Sequence, residues 1–216
     1  MTAEAIPVNK TSAAIHPLWV RVSHWINAVA ILIMIGSGWQ IYDASPLPLF
    51  NFTFPTTITL GGWLAEGIAW HLAGMWLFVS NGIVYVTLGL ATGRFRAKLF
   101  PIRPRDVVRD LVAALRGKLA HDDLSTYNAV QKLLYLGVIC AGVVIVLSGL
   151  SIWKPVQLGW LVDLFGGYPI ARFIHLAAMI CIVLFLSVHL TLVAIFPGTL
   201  VAMLTKIAVE PKENAS

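Results

Sequence analysis

Residues 173 to 196 read FIHLAAMICIVLFLSVHLTLVAIF, a stretch of 24 residues without Asp, Glu, Lys or Arg. A helix needs about 20 apolar residues to cross a bilayer, so this stretch is predicted to span one. It carries two histidines, His175 and His189, 14 residues apart. At about 100° and 1.5 Å per residue, 14 steps bring both side chains to nearly the same face, roughly 21 Å apart along the axis. An ionisable side chain inside a span is costly and marks function by default. Two on one face, at opposite depths, call for two partners from other helices.

The remainder of the chain agrees with a membrane protein. It is 58% hydrophobic and 12% charged, with mean hydropathy +0.83. Soluble domains run near 45–50% apolar and about 25% charged. The formal charge of +5 does not signal nucleic acid, because the basic residues cluster in short loops beside spans, as membrane topology requires. The two cysteines, Cys140 and Cys181, lie deep in apolar runs and read as packing residues. No Cys-x-x-Cys-His motif and no zinc-ligand spacing occurs. Residues 1–15 read as a flexible tail with no cleaved signal peptide.

Four spans are predicted, at about 23–41, 64–92, 133–153 and 173–196, giving an all-α membrane bundle over residues 16–198. Residues 43–62 and 154–171 read as loops, residues 105–120 as a helix on the membrane surface, and 199–216 as a short interfacial helix and tail. With four spans both termini share one side. That side holds 13 of the 15 Lys and Arg, the other only Lys154 and Arg172. The positive-inside rule therefore places the termini and the 93–128 loop in the cytoplasm. A weak repeat relates the halves. Ser37-Gly38 matches Ser148-Gly149, and His71-Leu-Ala matches His175-Leu-Ala. The same offsets carry His24 onto Tyr135 and Tyr85 onto His189.

Depth sorts the histidines. His24 and His189 fall near the cytoplasmic face, His71 and His175 near the outer face. Crossed pairs would stand about 20 Å apart in depth. Bundle cores build cofactor sites from facing side chains, and haem iron takes axial imidazoles. Zinc would usually need three or four ligands at one level. Two bis-histidine b-type haems are therefore expected, as electron carriers. Gly36, Gly38, Gly137, Gly142 and Gly149 suit either flat porphyrin faces or ordinary close helix packing. Arg21, Lys132 and Arg172 are candidates for haem propionates, or else serve topology. His16, Tyr127, Asn128 and Gln131 are candidates for a quinone site. His121 reads as a solvated loop residue, and Asn81 as satisfied by a neighbouring helix.

The run Arg21-Val-Ser-His24-Trp25, His71 in span 2 and the His175…His189 spacing together resemble the bacterial cytochrome b561 family. That family includes the cytochrome b subunits of nickel–iron hydrogenase and of formate dehydrogenase. The resemblance covers roughly residues 16–196. It implies a four-helix bundle with two b-type haems, ligated by His24 with His189 and His71 with His175. It also implies a quinone site near the cytoplasmic haem and an oxidoreductase partner outside. Trp153-Lys-Pro-Val-Gln and Phe165-Gly-Gly-Tyr168 resemble the members beside molybdopterin enzymes, of the thiosulfate-reductase type.

The expected function is electron transfer across the membrane, from a periplasmic oxidoreductase to the quinone pool or in reverse. One rival is a standalone haem enzyme passing electrons from a small periplasmic donor such as superoxide to quinone. The other is a transporter of protons or metal ions that uses the intramembrane histidines. Against the transporter, the spans hold no carboxylate between the histidines and no obvious broken helix.

Overall fold

The computed structural model describes residues 16–48, 52–116 and 127–205. The tail 1–15, His121 and residues 206–216 lie outside these. Among the described residues all regular structure is helical, in the order α1 (Leu18–Ala44), α2 (Leu64–Ala91), α3 (Arg94–Leu99), α4 (Pro104–Leu115), α5 (Ala129–Trp153), α6 (Gly159–Leu164), α7 (Tyr168–Ile195) and α8 (Gly198–Leu204). Four of them, α1, α2, α5 and α7, are long and apolar enough to cross a membrane.

Three spans begin earlier than hydropathy suggests, each for a local reason. The stretch after Pro17 holds no helix breaker, so α1 starts at Leu18 and places His24 in its second turn rather than its first. Asn128 caps α5, its side chain accepting from the Gln131 amide while the Gln131 side chain accepts from the Asn128 amide. This reciprocal box satisfies two of the donors that every helix start leaves free. Pro169 lies in the first turn of α7, where its missing N–H costs nothing. The loop before α7 is not irregular throughout. It contains the short helix α6, whose Leu161 is almost fully buried.

The spans form two helical hairpins. α1 packs along α2, and α5 along α7, whereas the two hairpins bring their backbones close only at isolated points. Within the first hairpin, Gly74 of α2 sits against α1. A Cβ there would lie 2.9 Å from the Ile33 Cγ2 atom, so glycine permits the close crossing. The loop after α1 folds back on the bundle. The Leu60 amide donates to the Gly36 carbonyl at 2.9 Å, and Phe54 stacks on Trp39 with centroids 4.7 Å apart. Irregular backbone buried against protein in this way is tolerated near membrane depth. At the opposite end, α4 is anchored by Asp110, which accepts from the Ala129 amide at the start of α5 (2.8 Å).

One expectation changes. Cys140 and Cys181 are exposed free thiols and face outward from the bundle rather than packing inside it. Asn81 is held as expected. Its amide donates to the Ser23 carbonyl (2.9 Å) and the Asn27 side chain (2.7 Å) on α1.

Candidate functional site: two histidine pairs at two levels

The gap between the hairpins holds the histidines. His24 of α1 faces His189 of α7, with ring centroids 6.0 Å apart and planes at 66°. His71 of α2 faces His175 of α7, with centroids 6.3 Å apart and planes again at 66°. Both pairs cross from one hairpin to the other, and α7 supplies one member of each. The fold thus brings together the two level pairs that depth alone predicted.

The surroundings of the pairs differ. The Nδ1 atom of His71 lies 3.1 Å from the Ser37 hydroxyl, and that of His175 lies 3.1 Å from the Ser148 hydroxyl. Both serines are fully buried. Gly38 and Gly149, the next residues, lie against the same rings, where a Cβ would come 3.4 Å and 3.1 Å from the imidazole Cε1 atoms. At the other level His24 packs edge-on against Trp25, and His189 stacks parallel to Phe185. Ser37, Ser148 and the roles of Gly38 and Gly149 are what sequence reasoning missed. The signal was present in the repeated Ser-Gly pair, which reads in sequence as a mark of duplication alone.

The three cations expected near haem have different fates. Arg21 is buried, donates from one terminal nitrogen to the Leu204 carbonyl at 3.4 Å, and leaves its Nε without a partner. It borders a lateral pocket of about 350 Å³ between α1 and α8, walled by Leu18, Val22, Trp25, Ile26 and Met203. Arg172 ties the start of α7 to the end of α1 by donating to the carbonyl and hydroxyl of Ser45. Lys132 is half-buried and reaches the Pro101 carbonyl at 3.4 Å.

The quinone candidates also separate. Asn128 and Gln131 are engaged with each other in the α5 cap. Tyr127 lines a small cavity with Tyr85, Arg94, Lys98 and Tyr135. Its volume of about 30 Å³ has room for water and not for a larger molecule. Burial pushes the Tyr127 hydroxyl up from its usual range, against the opposing pull of Arg94. His16 accepts from Arg94 through Nδ1 at 3.2 Å. Burial first, then the charges of Arg94 and Lys98, lower its pKa to about 4. Among the described residues no group of three or more His, Cys, Asp or Glu converges as a metal cage would require.

The match to the model of the prokaryotic cytochrome b561 family runs over residues 15–206 and takes in all four spans and both pairs. The chain belongs to that family. A relative in Azospira oryzae, YedZ1, is named as a candidate subunit of a protein-methionine-sulfoxide reductase. The two are 49% identical over 197 residues, which is 91% of this chain and 98% of the relative. As a cytochrome b561 the protein is a multi-pass membrane cytochrome b, the electron-transfer subunit of an oxidoreductase, and it binds b-type haem.

The residues of the cytochrome fit such a group. Facing imidazoles are side chains that would hold haem iron. The orphaned Arg21 Nε is a buried donor awaiting an acceptor, and a guanidinium has five donors to share. Gly38 and Gly149 make room for the His71 and His175 rings along their Cε1 and Nδ1 edges.

Proposed function

We propose that this cytochrome b561 holds two b-type haems and links the quinone pool to an oxidoreductase on the opposite face of the bacterial inner membrane. The observation that carries the reading is the pair of cross-hairpin histidine contacts at two levels of α7. His24 and His189 hold the inner haem, and His71 and His175 the outer one. Bound haem supplies reversible one-electron transfer, and two imidazoles per iron leave no open position for oxygen.

The chain's own residues do the rest. The pocket between α1 and α8 takes the quinone. Its volume lies in the range of small-molecule sites, and its walls are apolar with one convergent polar group. Arg21 has donors for both a quinone carbonyl and a carboxylate of the inner haem. Trp25, next in sequence to His24, is part of the same wall. The asymmetry of Lys and Arg puts this end of the bundle in the cytoplasm, with both termini. Arg172, with Trp39 and Tyr42 of α1 and the Phe52 and Phe54 rings of the following loop packed on them, closes the outer end, where the partner docks. The partner is an oxidoreductase of the molybdopterin kind. The relative's description as a reductase subunit supports electrons leaving quinol on the inside for a substrate outside.

The test is reduction of the purified chain by a short-chain quinol. The wild type is expected to become reduced, and His24→Leu to resist quinol while dithionite still reduces its outer haem. Equal reduction of both by quinol would contradict an inner quinone site.

A further inference from the structure

We infer that Ser37 and Ser148 are positioning residues for the outer histidine pair, each holding its histidine as the tautomer protonated at Nδ1 so that Nε2 is left as the free nitrogen. The inference rests on the proposed outer haem, whose iron Nε2 would bind.

The argument is a count of protons. A serine hydroxyl has one proton and spare lone pairs. The Ser37 hydroxyl lies 2.6 Å from the Ile33 carbonyl, which can only accept. The proton goes there, so across the 3.1 Å contact with His71 the imidazole must be the donor. The Met34 carbonyl, 3.4 Å from the same hydroxyl, is a second acceptor for that proton. The second hairpin repeats every member. Ser148 donates to the Val144 carbonyl at 2.7 Å. Its oxygen lies 3.1 Å from the His175 Nδ1, and the Ile145 carbonyl, 3.2 Å from the hydroxyl, is again a second acceptor for the serine proton.

A serine in an apolar helix commonly bonds back to its own preceding turn. That accounts for the hydroxyl's donation. It does not account for an imidazole of another helix ending on the same oxygen in both hairpins. Nor does it account for the glycine that follows each serine and leaves room for the ring edge. The inner pair has no counterpart. Neither His24 nor His189 makes a hydrogen bond to a described residue, and aromatic rings flank them instead.

A ligating histidine that donates its other N–H is held in one orientation and is a more basic ligand. A more basic ligand favours oxidised iron. The serines therefore lower the potential of the outer haem and leave the inner one alone.

The test uses the full-length purified chain with Ser37→Ala, Ser148→Ala and the double variant. Haem is counted per chain, each haem's midpoint is found by optical titration, and the low-spin ferric signals are recorded by electron paramagnetic resonance. The expected result is two haems, an upward shift of the outer midpoint that is larger in the double variant, a moved outer signal and an unchanged inner one. Ser37→Thr, which keeps a hydroxyl, is expected to restore the outer signal towards wild type. Loss of the outer haem alone in the alanine variants, with retention in Ser37→Thr, supports the same role. Two haems with neither midpoint nor signal moved would overturn it. A wild-type chain holding a single haem overturns the outer site itself, and the haem count distinguishes that failure from the other.

Discussion

His24 of α1 and His189 of α7 face each other across the gap between two helical hairpins, their ring centroids 6.0 Å apart. The fold thus brings together residues separated by 165 positions in the sequence. His24→Leu and His189→Leu are expected to lose the same haem and keep the other. His71→Leu and His175→Leu are expected to lose the opposite one. Haem per chain and the two optical signals check this, and different losses from His24→Leu and His189→Leu would break the pairing.

Asn81 binds α2 to α1 beside that site, through the Ser23 carbonyl and the Asn27 side chain. Asn81→Leu removes both bonds. Interhelical hydrogen bonds in membranes contribute about 0.6 kcal/mol on average and up to about 1.7, so the loss is expected to be about 1 kcal/mol. The thermal midpoint of the purified cytochrome should fall by a few degrees, with both haems still bound.

Gly74 permits the close crossing of the first hairpin, where a Cβ would meet Ile33 and Met34 at 2.9 Å and 3.1 Å. Gly74→Val is expected to cost about 1–3 kcal/mol through overpacking. Because His71 lies one turn away on α2, the outer haem signal should broaden while the inner one stays sharp. Cysteine crosslinking between α1 and α2 would report the widened hairpin directly.

His16 provides a pH test at the end of the bundle where α1 begins. Its pKa is lowered to about 4 by burial, by Arg94 and Lys98, and less by His24 and Arg21. A free histidine titrates near 6.5. Between these values the detached state binds more protons than the docked one, so docking weakens as pH falls from about 6.5 towards 4. Above about 6.5 the contact with Arg94 keeps its full strength. Hydrogen exchange at the start of α1, corrected for intrinsic rates, should accelerate as pH falls through this window. His16→Ala should remove that pH dependence.

The architecture was legible because a bilayer imposes length and polarity on its spans, and α7 with its two histidines showed this most plainly. The level pairing was legible too, since depth follows from chain direction. What sequence did not reveal depends on faces and on local caps. Cys140 and Cys181 sit in apolar runs, and hydropathy does not distinguish a lipid-facing side chain from one inside the bundle. Asn128 and Gln131 lie at the right depth for a ligand, yet their spacing is that of a capping box, which fixes where α5 starts. Arg21, Lys132 and Arg172 look equivalent as isolated cations. Packing against α8 buries Arg21 and leaves a donor unused, whereas Arg172 is taken up by Ser45. Ser37 and Ser148 were visible as a repeat, but a hydroxyl's role depends on which helix turns towards it.

The most direct test of the account is a reduced-minus-oxidised visible spectrum of the detergent-purified chain, with haem quantified per protein. Two low-spin b-type haems per chain are predicted, one for each histidine pair. One haem per chain, in a folded preparation made with ample haem supply, would contradict a carrier with two sites across the membrane.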